Sequence, residues 1–209
     1  MKVEYGNPTK IFIVIFIFLL AVISIFLFIE FMGLNSYVQI VEKENLLYKI
    51  ILRADNKFSE VSLDSQEAEN YYDEAIYFYE NEDYKLVESN CRLARDHYSK
   101  ESQGYKKIKA ELLSSEIEDK LISIYVNILD SIIEATNNMY EACEYFESAS
   151  RYYDKYYNTD VPYDDPSYDM ADAEMDSMNE KITAHDIAIE RYNQYLEDFG
   201  VELEKRLIE

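Results

Sequence analysis

Two imidazoles, His97 and His185, and two thiols, Cys91 and Cys143, are the side chains of this 209-residue sequence best suited to metal binding or nucleophilic chemistry. A catalytic zinc or di-iron centre needs histidines spaced to share a helix face with carboxylates, and neither H-E-x-x-H nor paired E-x-x-H motifs occur. His185 falls in an apolar helical stripe, where a hydrogen-bonded core histidine is expected. His97 follows Asp96 on a polar face, and a solvated role is expected there. Gly6, Gly33, Gly104 and Gly200 are too far apart to cradle a phosphate, and no G-x-S-x-G elbow is present. With 42 acidic residues, chance carboxylate pairs are inevitable and give no signal for acid–base catalysis. No enzyme activity and no cofactor are expected.

The densest chemistry lies in YYDKYYNTDVPYDDPSYD, residues 152–169, with six tyrosines, five aspartates and two of the three prolines. Hard cations want several converging oxygens, and Asp160, Asp164, Asp165 and Asp169 are the candidate ligands. The segment lacks the glycine and the D-x-D-x-D-G order of an EF-hand loop, so the competing expectation is a solvated turn whose acids favour the next helix N-terminus. Tyr156, Tyr157, Tyr163 and Tyr168 are candidate partner contacts, because flat amphipathic rings make efficient binding anchors. Tyrosine is used all along the chain, 21 times with no tryptophan, so packing is the alternative role.

The elements that would position these residues follow from composition. Only four glycines and three prolines interrupt a chain rich in helix formers, which predicts an all-α fold of long helices. Residues 11–29 carry no charge and only Ser24 as a polar side chain, a length of roughly 28 Å as helix against a hydrocarbon core of ~30 Å. The expectation is an N-terminal transmembrane helix, residues 11–32, contacting the lipid bilayer as an uncleaved signal anchor. A cleaved signal peptide is the alternative, against which stand the long apolar run and the want of an A-x-A-like site. Lys2 and Lys10 precede the run, while the next basic residue is Lys43. That bias predicts a cell-membrane protein that crosses once, with a cytoplasmic tail at residues 1–10 and the C-terminal domain outside. Beyond the run, 18 basic residues face 41 acidic ones, which excludes nucleic-acid binding.

Residues 33–60 read as a stem helix, with Tyr37, Val41, Leu47, Tyr48, Ile51 and Phe58 forming one apolar stripe. A second stem could cover it, giving a homo-oligomer. Residues 61–209 are expected to form an extracytoplasmic, elongated antiparallel bundle. The polar stretch 59–70 predicts an interruption, with Asp64 or Ser65 capping the next helix. That helix ends near Asn81, NED makes a turn, and another begins near Tyr84. Within residues 71–94, Tyr72, Ala75, Ile76 and Tyr79, followed by Val87, Cys91 and Ala94, resemble one tetratricopeptide-like helical hairpin, from Tyr71 to Ala94. The resemblance implies a packed helix pair. No second copy follows, whereas an array needs several repeats of ~34 residues.

A mirror relation comes next. Small or apolar residues recur at Tyr84, Val87, Cys91, Ala94, Tyr98, Tyr105, Ile108 and Leu112. They recur again at Leu121, Tyr125, Ile128, Ala135, Met139, Ala142, Phe146 and Ala149. Taken outward, Leu112 with Leu121 through to Tyr84 with Ala149, every pair is centred between 116 and 117. Two antiparallel helices joined there produce that relation; one unbroken helix is the rival. Ser115 and Glu118 offer a capping box for the second helix. Cys91 and Cys143 then lie at nearly one height, which leaves open a disulfide worth ~2–4 kcal/mol or two buried thiols. The last helix starts near Asp169 and shows a four-three seam from Met178 and Ile182 through His185 and Ile189 to Leu203.

The turn over 157–167 is expected to return toward the membrane-proximal end. The function expected is that of a membrane-anchored helical ectodomain serving as a protein-interaction or structural module, its protein partner unspecified. The alternative is a ligand-sensing or divalent-cation-binding bundle resembling the four-helix sensory modules of receptors. The first is preferred because sensing needs an output, and neither a second span nor a cytoplasmic effector is visible.

Overall fold

The structure, a computed structural model, describes residues 8–115, 117–158 and 165–208; side chains are described at 24 and from 27 onward within these ranges, except at 207 and 208. The described residues form four helices and no strand: α1 (Pro8–Glu80), α2 (Tyr84–Ser114), α3 (Lys120–Asn158) and α4 (Ser167–Ile208). The fold is all-α. It divides into two compact units, residues 1–49 and 50–209.

In the first unit α1 carries exposed apolar side chains at Leu27, Phe28, Ile29, Phe31, Met32 and Leu34. Tyr37 and Val41 of the predicted stem stripe are exposed too, as is the neighbouring Ile40, whereas Leu47 is buried. Among the described residues no helix is long and apolar enough to cross a membrane. Most side chains of the apolar run, 11–23 and 25–26, and all of residues 1–7 of the predicted tail, lie outside the described residues.

The second unit is a four-helix bundle. Neighbouring helices run antiparallel: Val61 meets Gly104 across α1 and α2, Ser102 Oγ donates to Asn137 Oδ1 at 2.8 Å across α2 and α3, and Arg191 pairs with Glu134 at 2.6 Å across α3 and α4. The rings of Tyr72 and Tyr79 on α1 both pack on Phe146 of α3, and Phe58 stacks toward Tyr192 of α4. Every small or apolar position of the mirror relation is buried, so one continuous stripe of α2 and one of α3 build the core. The hairpin, rather than one unbroken helix, joins them. Ser102 with Asn137 and Lys109 with Asp130 are each centred between 119 and 120, slightly later than the sequence pairing.

Three local expectations are corrected. Residues 59–70 do not interrupt the helix; α1 runs through them. The chain holds no Gly or Pro from 34 to 103, and Ser62 Oγ donates back to the Ser59 carbonyl within the helix, so its polarity creates no break. Ser115 does not cap α3: its hydroxyl donates to the Leu112 carbonyl at the end of α2. Asp119 takes the capping role, its Oδ1 accepting from the Leu121 amide at 2.8 Å and from Arg206 of α4 at 2.8 Å. Finally, because α1 is unbroken, the end of α3 lies beside the end of α1 and the start of α2, where Tyr84 stacks on Tyr157. Within the bundle this is the end away from Ile50, so α3 does not return toward the stem residues 50–60.

The turn between α1 and α2 is the short NED expected, with Glu82 in the left-handed region at φ 59° and Asp83 accepting from the Leu86 amide. The paired helices of the 71–94 stretch are present. The second of them, at 31 residues, is nearly as long as a whole ~34-residue tetratricopeptide repeat, so the pair belongs to a long-helix bundle.

Gly104 marks a close approach. A Cβ there would stand 2.5 Å from Val61 Cγ2 and 2.9 Å from Cγ1, and a β-branched side chain has little freedom to turn aside. Gly104→Ala is therefore expected to destabilise the bundle by about 1–2 kcal/mol despite alanine's better helix propensity. Thermal melts should show the loss, and Val61→Ala combined with it should be no less stable than Val61→Ala alone.

Candidate functional site

The tyrosine-rich stretch becomes a surface at the bundle end. Tyr153 and Tyr157 project from the last turns of α3 because they are four residues apart, and Tyr168 stands at the start of α4. Tyr153 is buried among Tyr84, Ala149 and Ala171, and its hydroxyl donates to Asp172 at 2.6 Å. Tyr156, Tyr157 and Tyr168 then pack on one another edge to face, with ring centres 5.1 to 6.5 Å apart. Tyr84 is stacked on Tyr157 at 6.0 Å, and burial with neighbouring phenols pushes its hydroxyl up to about 12, so it stays neutral. Tyr157 remains 54 % exposed and Tyr168 38 %. Three of the four candidate contacts thus form one amphipathic surface; Tyr163 lies outside the described residues.

The acidic candidates do not converge among the described residues. Asp160 and Asp164 lie outside them. Asp165 accepts from the Ser167 amide at 2.9 Å and from its hydroxyl, and pairs with Lys155 at 3.1 Å. Those hydrogen bonds hold its carboxyl below the usual range and commit it to the first turn of α4. Asp169 is exposed in that same turn, where a negative charge suits the helix dipole.

Cys91 and Cys143 are free thiols, both buried in the core beside Phe146 and Tyr98. Burial pushes Cys143 up to about 12, and burial together with the neighbouring Cys143 pushes Cys91 higher still. Neither thiolate forms readily in the native state. A disulfide-exchange reagent is expected to react with neither in the folded protein and with both in denaturant; fast labelling of the native chain would refute the packing.

His97 is not solvated. Its side chain is largely buried between α1 and α2, with Nδ1 at 3.1 Å from Asp64 Oδ1 and 3.2 Å from Glu67 Oε2 and the ring stacked toward Tyr71. These three ligand atoms lie within 4.8 Å of one another, a set that can act as an ion-pair cluster or hold a divalent metal. Asp64, expected to cap a helix, instead serves this interhelical contact.

The site that sequence reasoning missed lies inside the bundle. A cavity of about 130 Å³ opens among all four helices. Glu101 is only 2 % exposed and lines it with Tyr98 from α2, facing Thr136 and Met139 of α3. Glu69 and Asp73 of α1 and His185 of α4 complete the wall on its more exposed side. Burial pushes the Glu101 carboxyl up to about 7 against the pull of the Ser65, Tyr105 and Thr136 hydroxyls, with Glu69 adding to the rise. Its Oε2 has no hydrogen-bond partner. The signal was the gap between Tyr98 and Tyr105: a four-three seam demands an inward residue there, and the sequence puts Glu101 in it. His185, expected as a core histidine, is half-buried at this wall with Nδ1 3.1 Å from Asp186.

Comparison with models of known protein families, with characterised proteins and with solved structures finds no match to this chain.

Proposed function

We propose that this chain is a membrane-anchored helical module whose tyrosine-rich bundle end contacts a partner protein outside the cytoplasm. The single observation that carries it is the edge-to-face cluster of Tyr156, Tyr157 and Tyr168, in which Tyr156 is half-buried and Tyr157 and Tyr168 are exposed. Rings already fixed by their neighbours lose little conformational freedom on binding and present both apolar faces and hydroxyls, as hot-spot residues do. Anchoring is supported by the uncharged stretch 11–29 and by the exposed apolar side chains at its end and just beyond it, 27–34. The bilayer is the partner for 11–32, and Lys2 and Lys10 favour the cytoplasmic side for the residues before it. A second stem covering Tyr37, Ile40 and Val41 would make a homo-oligomer. The net charge of −22 suits a basic partner surface and not nucleic acid.

The test uses the full chain in its native cells with a photo-crosslinking residue at position 157, at 168, or at the exposed control Asn193. Discrete protein adducts at 157 and 168 and none at 193 are expected. Equal labelling at all three would sink the partner surface. Protease added to intact cells should degrade residues 50–209; full protection would reverse the orientation.

A further inference from the structure

We propose that the cavity inside the bundle binds a small organic ammonium ion, its nitrogen on the Glu101 carboxylate and its short alkyl chain against Ile132, Met139 and Ile189. A buried carboxylate oxygen with no partner is costly, and native proteins rarely leave one without a ligand or water to satisfy it. The sign of the ligand follows from the wall. Glu69, Asp73 and Glu101 are all carboxylates, while the one basic side chain, His185, already faces Asp186. An anion would meet like charge here, and a cation is drawn in from an acidic rim.

The chemistry of the rest of the wall separates an organic cation from a metal ion. Beside the oxygens of Ser65, Glu69, Asp73, Glu101 and Thr136 the wall carries Ile132, Ala135, Met139 and Ile189, which suit an alkyl chain and give nothing to the oxygen shell of calcium or magnesium. Tyr72 and Tyr98 also line the space; burial raises both phenols, so they remain neutral rings beside a cation. The volume holds several waters or a ligand of a few non-hydrogen atoms. A primary amine with a chain of a few carbons fits both halves of this lining.

The experiment uses the full-length chain in detergent micelles with ¹³C-methyl methionine, the Met139 signal being assigned with Met139→Leu. The probe is n-butylammonium chloride, with n-butanol, potassium chloride and calcium chloride as controls. A saturable shift of the Met139 methyl is expected with butylammonium alone, while the exposed Met32 and Met170 methyls stay in place. Glu101→Gln is expected to weaken binding by about tenfold or more, since it removes the charged partner of a desolvated pair. No saturable shift, an equal shift with n-butanol or with calcium, or unchanged affinity in Glu101→Gln would each overturn the proposal. Should that variant not fold, nuclear Overhauser contacts from the butyl protons to the Tyr72 and Tyr98 rings of the wild-type chain decide the matter. Their absence overturns it.

Discussion

Glu147→Ala is expected to cost the bundle about 3 kcal/mol, read as a fall in melting temperature of roughly 10 °C by helical circular dichroism. Glu147 is only 4 % exposed, yet three guanidinium groups converge on it. Arg95 Nη1 donates to its Oε2 at 2.8 Å, Arg151 donates to its Oε1, and Arg92 lies 3.5 Å away. Arg95 depends on it most, because its buried Nε already lacks a partner. With Glu147 gone, Arg95 keeps Tyr140, at 2.9 Å and beneath its guanidinium plane, and the more exposed Glu144 at 3.4 Å. Those contacts do not replace the lost charge in a partly dry site, and an uncompensated cation there is what destabilises. Arg95→Met in the same background should recover much of the loss. If Glu147→Ala melts within a degree or two of wild type, the network is an exposed one of little energetic weight.

Glu101→Gln is expected to do the reverse, and only at higher pH. The Glu101 carboxyl is pushed up to about 7 by burial, against an ordinary value of 4.5. Between those two values the folded chain holds a proton that the unfolded chain has released, so stability falls as pH rises through the window. The difference amounts to about 3 kcal/mol, complete a little above pH 7, where both states are ionised. Glutamine does not titrate. Urea unfolding at pH 5 and pH 8 should therefore show the variant gaining on the wild type by about that amount at the higher pH. Using the difference between the two chains removes the pH response of the other carboxylates. Parallel stability curves would mean that Glu101 is solvated in the native state.

Much of the bundle was legible because α2 and α3 repeat their apolar residues with helical spacing about a common centre. Such a relation survives only where two helices face each other, and it located the turn after Ser114 without any glycine or proline to mark it. The tyrosine end was legible in part: composition pointed to Tyr156, Tyr157 and Tyr168, while their partner Tyr84 comes from a distant helix. Illegible were the cases where a polar residue serves the interior. Asp64 and Ser65 looked like caps because they sit in a polar run, but Asp64 reaches His97 and Ser65 faces Glu101. In the sequence Glu101 reads as one more acid on an acidic chain. A charge in a core position is visible only when the seam is followed strictly, since its hydropathy argues for the surface.

The stacked rings at the bundle end also give the molecule an optical character. With 21 tyrosines and no tryptophan, its near-ultraviolet absorption belongs almost wholly to phenol rings, of which Tyr79, Tyr84, Tyr153, Tyr156, Tyr157 and Tyr168 are held at fixed angles to one another. Rings so ordered couple as a chiral array, whose circular dichroism near 280 nm vanishes when that end loosens even while the helices persist. A tryptophan placed at position 157 would be the chain's sole indole, collecting excitation energy from its neighbours and reporting on that end of the bundle alone.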